Sequence, residues 1–365
     1  MDKIKVLIVD DSSVIRSIVR AALSNDSAIE VVGEAEDPFE ARELIKELNP
    51  DVLTLDVEMP KMDGITFLKN LMRLRPLPVV MLSTLTTKGA DITLEALDIG
   101  AIDFIAKPTV EEITAQQEKF DTLLIDKVKG AVSVDQKNFA LSKAGRQANE
   151  QILPFTGVQR ANHIVAIGAS TGGTEALKNF LMSLPENSPP IVIAQHIPKT
   201  FSARFAERLN NICQITVHEA QHGQKIKTGH AYIAPGSLHL EVVEKGGSLF
   251  CTLSDGVPVN RHKPAVDVLF DSLLTNAGNV QAILLTGMGK DGAQGMLRLK
   301  EAGANTIVQD KSTSLIWGMP GQAFGLNAHR SVLPLNEIPK AMLDYAGMSL
   351  SEMKDYCLDG VINDV

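Results

Sequence analysis

Short apolar runs alternate with amphipathic stretches along most of the chain, and this alternation constrains the fold more than any other feature. From Lys3 to about Val132 the runs are KVLIVD, IEVVGEA, DVLTLD, PVVMLS and DFIAK. Each is followed by a stretch with helical spacing of apolar residues, the last from about Glu111. Five strands that alternate with five helices predict a parallel sheet with helices on both faces.

A second series of the same kind begins at His163 with HIVAIG, PIVIAQH and ITVHEA, and it resumes with QAILLTG and NTIVQD. Between its two parts lie HAYIAPG, HLEVVE and GSLFCTL, which favour a β-hairpin section, and a helical region is expected to close the series. The fold class we predict is α/β, with two doubly wound parallel-sheet domains, the first of five strands and the second carrying the hairpin.

Domain boundaries are predicted from changes in composition. Residues 133–158 are polar and lack a sustained apolar period, which is typical of a linker. The first domain is therefore expected over residues 1–132 and the second over residues 159–350. Residues 351–365 form a tail to which no function can be assigned.

Composition excludes several classes of protein. The 365 residues are 44% apolar and 22% charged, as in soluble globular proteins, and the net charge of -9 argues against a nucleic-acid binder. The cysteines are three, widely spaced and without a C-x-x-C pair, so neither a disulfide framework nor a zinc site is expected. The N-terminus turns acidic early and no apolar run is long enough to span a bilayer, so we expect a cytoplasmic protein without membrane insertion.

Acidic residues follow two strands of the first domain. Asp10 and Asp11 end the first strand, Asp56 ends the third, Ser83 ends the fourth and Lys107 follows the fifth. In an open parallel sheet these positions meet at one edge. Three carboxylates there would repel one another unless a divalent cation lay among them, and an all-oxygen site favours Mg²⁺. Lys107 would supply a positive charge for an anion near Asp56.

The motifs VDDS, LDVEMPKMDG, MLST and AKP, in this order and spacing, resemble the receiver domain of bacterial two-component response regulators. The resemblance implies that Asp56 is phosphorylated by a histidine kinase and that Ser83 and Lys107 contact the phosphoryl group. It also implies an aromatic switch residue, Phe104. The Mg²⁺ ligands that it implies are Asp10, Asp11, Asp56 and the backbone carbonyl of Glu58.

The run HIVAIGASTGGT leaves two interpretations open. G-A-S-T-G matches the G-x-S-x-G nucleophile elbow, with Ser170 as the nucleophile, while a glycine-rich loop before a helix can also bind a phosphate. A dinucleotide fingerprint would require glycine at position 170, and no Gly-Lys-Ser/Thr follows for a P-loop. A hydrolase reading needs a base and an orienting acid within reach.

Two residues at strand ends are candidates for the base and the acid that a hydrolase would need near Ser170. His196 ends PIVIAQH and Asp291 follows AILLTG, so both are expected at the same carboxyl edge as Ser170. The usual α/β-hydrolase order, with the acid before the histidine, would select Asp310 and His329 instead. Among the remaining histidines, His262 in NRHKPAVD is the one expected to touch substrate.

The motifs GASTGG, AQHIP, IAPG, RHKPAVDVLF, TGMGKDG and WGMPG, carried behind a receiver domain, resemble the bacterial chemotaxis protein-glutamate methylesterases. That resemblance implies a catalytic Ser170, His196 and Asp291. Thr171, Gly172 and Met288 are expected to bind the oxyanion or substrate. The implied activity is hydrolysis of glutamate methyl esters, with deamidation of glutamines as a second activity, both activated by phosphorylation.

The same resemblance implies the partners. A chemotaxis histidine kinase would be the phosphodonor and methyl-accepting chemoreceptors the substrate, which would bring a cytoplasmic, monomeric protein to membrane receptor arrays. Mg²⁺ would serve phosphorylation, and no cofactor is expected for ester hydrolysis. Two rival functions are a receiver-linked transcription factor, for which the second half lacks a basic helix-turn-helix, and a nucleotide-binding regulator that uses GASTGG as an anion loop.

Overall fold

The computed structural model describes residues 3–84, 86–108, 117–134, 154–157 and 162–348. It divides the chain into two compact units, Met1–Gln136 and Lys137–Val365. Most of the linker predicted at 133–158 and the whole tail at 351–365 lie outside the described residues. The start of the helix expected from about Glu111 lies outside them as well.

Within the described residues, the first unit is built around a five-stranded parallel sheet of order β2-β1-β3-β4-β5. Its strands are β1 (Ile4–Val9), β2 (Ile29–Ala35), β3 (Val52–Asp56), β4 (Val79–Ser83) and β5 (Asp103–Ala106). Its helices are α1 (Ser13–Ser24), α2 (Pro38–Leu48), α3 (Gly64–Leu74), α4 (Thr87–Ile99) and α5 (Gln117–Val132).

Side-chain caps start the first four of these helices soon after the strands end. Ser12 accepts from the Ile15 N–H, and Asp63 accepts from the Thr66 N–H. Asp37 accepts two N–H groups at the start of α2, where Pro38 occupies the first helical turn. Because a cap satisfies backbone donors that have no partner inside the helix, these short polar residues fix where each helix begins.

The second unit contains a seven-stranded parallel sheet of order β14-β13-β12-β6-β7-β9-β8 in the part of the chain that is described. Its strands are β6 (Ile164–Ala169), β7 (Ile191–Gln195), β8 (Thr216–Glu219), β9 (His230–Ile233), β12 (Val280–Leu284), β13 (Asn305–Gln309) and β14 (Ser331–Leu333). Its helices are α6 (Gly173–Met182), α7 (Lys199–Ile212), α8 (Val266–Asp271), α9 (Ala293–Glu301), α10 (Met319–Gly325) and α11 (Ile338–Gly347).

The predicted hairpin section forms a separate antiparallel ribbon from β10 (His239–Lys245) and β11 (Ser248–Ser254). One expectation was incomplete. The closing helical region contains a short strand, β14, which pairs in parallel with β13 at the edge of the sheet. Three half-buried residues give too short a pattern to separate a strand from the helices on either side.

The second core lies on both faces of the central strands. The residues of β6, β7 and β12 are all buried, as expected of parallel strands covered by helices on each side. Leu269 and Phe270 of α8 belong to the core cluster and are fully buried. Helix α8 therefore packs on the sheet directly beside the strand ends that carry the polar residues described below.

Among the described residues, no helix combines the length and apolar character needed to cross a lipid bilayer.

Removing the Leu269 side chain should weaken this core. Leu269→Ala leaves a cavity at a fully buried position and is expected to lower the free energy of unfolding of the second unit by about 2–5 kcal/mol. Ile212→Ala, at a position 43% exposed, is the control and should cost less than about 1 kcal/mol. Trp317 is the single tryptophan of the chain and lies in this unit, so its fluorescence during denaturation reports the change. Equal losses in the two variants would contradict the packing described.

Candidate functional site

Three strand ends of the second sheet meet where the chain order reverses. From β6 the chain passes to β7 on one side, and it later returns to β12 on the other. Ligands of open α/β sheets bind at such a point, outside the carboxyl ends of the strands. Ser170 follows β6, His196 follows β7, and Asp291 lies in the loop after β12. The topology therefore brings the three residues to one edge.

The three side chains form a continuous hydrogen-bonded line. Nδ1 of His196 lies 3.1 Å from Oγ of Ser170, and Nε2 lies 2.9 Å from Oδ2 of Asp291. Rotating the ring by half a turn would put carbon atoms at both positions, so this orientation alone satisfies both neighbours. When the ring is neutral, this orientation puts its proton on Nε2, which donates to Asp291, and leaves a lone pair on Nδ1 that accepts from Ser170. The usual Ser-His-Asp template uses the two nitrogens the other way round.

Asp291 is buried and accepts several hydrogen bonds besides that of His196. Oδ2 accepts from the Val266 N–H at 2.7 Å, and Oδ1 accepts from the Asn260 side-chain amide at 2.8 Å. The Asp267 N–H also donates to Oδ1, at 3.2 Å. Burial alone would raise the pKa of Asp291, but the bonds from His196, Asn260 and Val266 outweigh it and hold that pKa well below its usual range. The residue is thus a fixed anion beside the imidazole.

The glycine loop around Ser170 is held tightly by its neighbours. The Ser170 N–H donates to the Thr286 carbonyl at 3.1 Å, and the Ser170 carbonyl accepts from the Gln195 side chain at 3.0 Å. Gly172 has a φ of 77°, and a Cβ there would come within 2.8 Å of Leu315. Glycine is therefore required for the turn that leads from Ser170 into α6. The contact of Ser170 with His196 favours the nucleophile over the phosphate-binding loop.

The loop after β12 approaches this turn closely. A Cβ on Gly287 would lie 2.8 Å from Cβ of Ser170, so only glycine allows the two loops to pack. The Gly287 carbonyl accepts from the Met319 N–H at 2.8 Å, and Oγ1 of Thr286 donates to the Thr171 carbonyl at 3.1 Å. Thr171 is buried and Met288, which follows Gly287, is half buried. The residues expected to bind an oxyanion thus belong to two loops that meet at Ser170.

Asp310 and His329, the alternative acid and base, have other contacts. Asp310 accepts from the Thr313 N–H at 2.9 Å and so shapes the turn after β13. His329 stacks on Phe324, with ring centroids 4.9 Å apart. These contacts give both residues structural roles, and the contacts around Ser170 described above involve neither of them.

The first unit carries an acidic pocket at the corresponding place in its sheet, where β1 lies between β2 and β3. Asp10 and Asp56 are buried and Asp11 is exposed, and one carboxylate oxygen from each lies within 4.8 Å of the others. Nζ of Lys107 is 2.8 Å from Oδ2 of Asp10 and 2.8 Å from Oδ2 of Asp56. One ammonium group therefore contacts two of these three carboxylates.

This imbalance changes the acidity of the buried groups. Burial, followed by the charge of Asp10, raises the pKa of Asp56 to about 6, although Lys107 opposes both effects. Burial likewise raises the pKa of Asp10. Burial would lower the pKa of Lys107, but Asp56 and Asp10 reverse this and raise it. The pocket is thus short of positive charge.

The other residues predicted for this pocket have defined contacts. Oγ of Ser83 is buried and lies 3.3 Å from the Gly89 carbonyl, which makes it a donor to the first turn of α4. The Glu58 N–H donates to Oδ1 of Asp56 at 3.3 Å. Phe104 is buried, with Nζ of Lys127 5.9 Å from its ring centroid. The site residues predicted at the strand ends of each unit are thereby brought together within that unit.

Comparison with known proteins agrees with both sites. The family model described as "CheB methylesterase" matches residues 165–342, and that described as "Response regulator receiver domain" matches residues 6–123. A protein-glutamate methylesterase/protein-glutamine glutaminase from Hydrogenovibrio crunogenus is 50% identical over 94% of this chain and 99% of its own length. One of the same description from Thiobacillus denitrificans is 48% identical over 94% of this chain and 97% of its own.

The catalytic domain of Thermotoga maritima CheB methylesterase, a crystal structure, is 37% identical and superposes with a TM-score of 0.50. The match covers 51% of this chain and 100% of that domain. The chain belongs to the CheB methylesterase family. The resemblances drawn from the sequence motifs and the predicted fold class are therefore confirmed.

Sequence reasoning missed two polar residues beside the CheB-type site. Asn260 donates to Oδ1 of Asp291 and, at 2.7 Å, to Oδ2 of Asp267. The Asp267 side chain in turn accepts from the Gly295 N–H at 2.6 Å. Both residues lie in the stretch NRHKPAVD, in which sequence reasoning had selected only His262. Five polar residues within eight positions were the available signal.

The tautomer of His196 can be tested by nitrogen NMR. At a pH where the ring is neutral, we expect Nε2 of His196 to carry the proton and Nδ1 to resonate as an unprotonated ring nitrogen, because Asp291 can only accept. Two-dimensional ¹H–¹⁵N correlation of the imidazole, assigned by the absence of its signals in His196→Gln, provides the measurement. A proton on Nδ1 would contradict the orientation described.

Proposed function

We propose that the chain hydrolyses glutamate methyl esters in chemoreceptors and deamidates glutamines there, and that phosphorylation of its receiver domain activates both reactions. The hydrogen-bonded line from Ser170 through His196 to Asp291 is the observation that carries this function. Relatives about half identical over nearly the whole chain are described as protein-glutamate methylesterase/protein-glutamine glutaminase, which supports the choice of substrate.

The first half of the reaction forms an acyl-enzyme. Nδ1 of His196 takes the Ser170 proton as Oγ attacks the ester carbonyl carbon, and Asp291 stabilises the imidazolium that results. The tetrahedral intermediate collapses, its carbon–oxygen bond to the methoxy group breaks, and Nδ1 returns the proton so that methanol leaves. A glutamine amide follows the same course and releases ammonia.

The second half restores the enzyme. Nδ1 takes a proton from a water molecule, the hydroxide oxygen attacks the acyl carbonyl, and collapse breaks the bond to Oγ of Ser170, which recovers its proton from His196. The product is a glutamate carboxylate. Because Nε2–H remains bonded to Asp291 throughout, the ring keeps its orientation in both halves.

Each tetrahedral intermediate carries an oxyanion that needs hydrogen-bond donors. The backbone N–H of Met288 and the loop at Thr171 and Gly172 are proposed to supply them, since both loops meet at Ser170. Helix α6 begins at Gly173, so its positive end faces the same region. A single donor of this kind is typically worth about 10²–10³ in rate.

The acidic pocket of the first unit is proposed to accept the phosphoryl group on Asp56 from a chemotaxis histidine kinase. The ligand atoms that it offers to a metal are carboxylate oxygens, two of the three carboxylates are buried and their pKa values are raised, so a divalent cation fits its charge deficit. Bound Mg²⁺ would offset the charge that develops on the phosphoryl oxygens. Its proposed ligands are Asp10, Asp11, Asp56 and the Glu58 carbonyl.

Lys107 and Ser83 are proposed to contact the phosphoryl oxygens, and Phe104 to respond as the aromatic switch. Lys107 would exchange a carboxylate for a phosphoryl oxygen without leaving the pocket. We also propose that the two domains span residues 1–132 and 159–350. The protein would be a cytoplasmic monomer, and it would associate with membrane receptor arrays because its substrate lies there.

Replacing the nucleophile tests the hydrolase. Ser170→Ala should lower methanol release from methylated receptor membranes by at least about 10³-fold, because no oxygen remains to form the acyl-enzyme. Ser183→Ala, which removes a hydroxyl that bonds the Phe180 carbonyl at the end of α6, is the control and should retain activity. Methanol release near the wild-type rate in Ser170→Ala would refute the assignment.

Replacing the phosphoacceptor tests the regulation. Asp56→Asn should abolish labelling by acetyl phosphate, because the amide cannot attack phosphorus, and should remove the rise in methanol release that the phosphodonor causes in the wild type. Chelation of divalent cations should stop labelling of the wild type. Undiminished labelling of Asp56→Asn would show that another residue is the acceptor.

A further inference from the structure

The ring of His262 lies flat on that of the catalytic histidine. The centroids of His196 and His262 are 3.6 Å apart and their planes differ by 10°. Pairs of Phe, Tyr or Trp rings prefer offset or edge-to-face arrangements with centroids 4.5–7 Å apart, so this face-to-face contact of two imidazoles is unusually close. The backbone that carries His262 is itself held in a defined conformation.

A tight turn imposes it. The Val259 N–H donates to the His262 carbonyl at 3.1 Å, and the His262 N–H donates to the Val259 carbonyl at 2.9 Å. Between them Asn260 and Arg261 have φ values of 50° and 69°. Two consecutive positive values define a two-residue hairpin turn that favours asparagine or glycine, so Arg261 adopts an unfavourable conformation. Such strain persists where the surroundings over-determine it.

The surroundings here belong to the active site. The Asn260 side chain, inside the turn, donates both to Asp291 and to Asp267. Asp267 is buried at the start of α8 and its backbone N–H also donates to Asp291. The turn that places the His262 ring is therefore anchored on the carboxylate that orients His196. The His262 ring therefore contacts the face of His196, while the Asp291 carboxylate contacts its edge.

These two directions constrain different motions. The hydrogen bonds to Ser170 and Asp291 lie in the plane of the His196 ring and fix its two nitrogens. Rotation about the Cβ–Cγ bond would swing the ring out of that plane and lengthen both bonds, and a second ring against its face blocks this rotation. We propose that His262 is a positioning residue, which keeps His196 aligned between Ser170 and Asp291 by stacking on it.

The proposal deepens the proposed function and rests on it for the kinetic test. It replaces the expectation that His262 touches substrate, and the two make different predictions. A substrate contact would be lost in any replacement of His262 and would raise KM. A positioning ring can be replaced by another flat ring, and its loss lowers kcat because a misplaced base slows the chemical steps.

The variants His262→Ala and His262→Phe separate the two. We expect His262→Ala to lower kcat for methanol release about 10-fold or more with KM within about 2-fold of the wild type, and His262→Phe to keep kcat within about 3-fold. His329→Ala removes a stacked histidine elsewhere in the unit and should leave both constants unchanged. Trp317 fluorescence during denaturation checks that each variant is folded.

A second readout does not depend on the substrate. The Nε2–H proton of His196, assigned by its absence in His196→Gln, should give a resonance protected from exchange in the wild type and in His262→Phe. In His262→Ala it should broaden or vanish, since the ring is free to rotate away from Asp291. If the wild type released no methanol, the proposed function would fail, and this resonance would still decide the role of His262.

Three results would overturn the proposal. One is an increase in KM with unchanged kcat in both variants, which would make His262 a substrate contact. Another is equal loss of kcat in His262→Ala and His262→Phe, with the protected resonance kept in both. The third is wild-type kinetics and a wild-type resonance in His262→Ala.

Discussion

The buried carboxylate of Asp291 is the group on which the rest of the arrangement around Ser170 depends. Its oxygens accept from His196, from the Asn260 side chain and from backbone N–H groups at the start of α8. An anion at this depth would be costly without such partners, and with them it holds its charge. The same bonds tie the loop after β12 to α8 and to the turn at Asn260, so the acid organises the loops as well as the imidazole.

The sites of both units lie where the strand order of a parallel sheet reverses, but their side chains suit different chemistry. Each sheet has a central strand from which the chain leaves to both sides, and each gathers polar residues beyond the carboxyl ends there. In the first unit the strands end directly in carboxylates, which gives a pocket that attracts cations. In the second, the strand ends carry a hydroxyl and an imidazole, and glycines at positions 172 and 287 let the loops come close. Side chains, and not the fold, distinguish the two sites.

The parts of the structure that the sequence could predict are those with strong periodic signals. Buried strands with a clear apolar run were recognised, and because parallel strands share an edge, Ser170, His196 and Asp291 could be placed together without knowing any distance. The orientation of the His196 ring could not be predicted, because it depends on which nitrogen each neighbour reaches. Asn260 was missed because its role arises from a turn whose φ values no pattern of apolar residues encodes. The strand β14 was missed because three residues carry too little periodicity.

Ionisation of Asp56 in the acidic pocket is unfavourable because the group is buried and lies near Asp10. The pKa of Asp56 is raised to about 6 in the folded chain, so its contribution to stability is fully present below its unfolded value and is lost as the pH rises through about 6. At about 1.4 kcal/mol for each pKa unit, ionising Asp56 costs on the order of 3 kcal/mol more in the folded chain than in the unfolded chain. Lys107 offsets part of the repulsion but cannot match three carboxylates. In the proposed function, a divalent cation would relieve the remainder and would also offset the further negative charge that a phosphoryl group adds to Asp56. The charge balance of the pocket would then differ between its unmodified and its phosphorylated states, and a difference of this kind is what a switch requires.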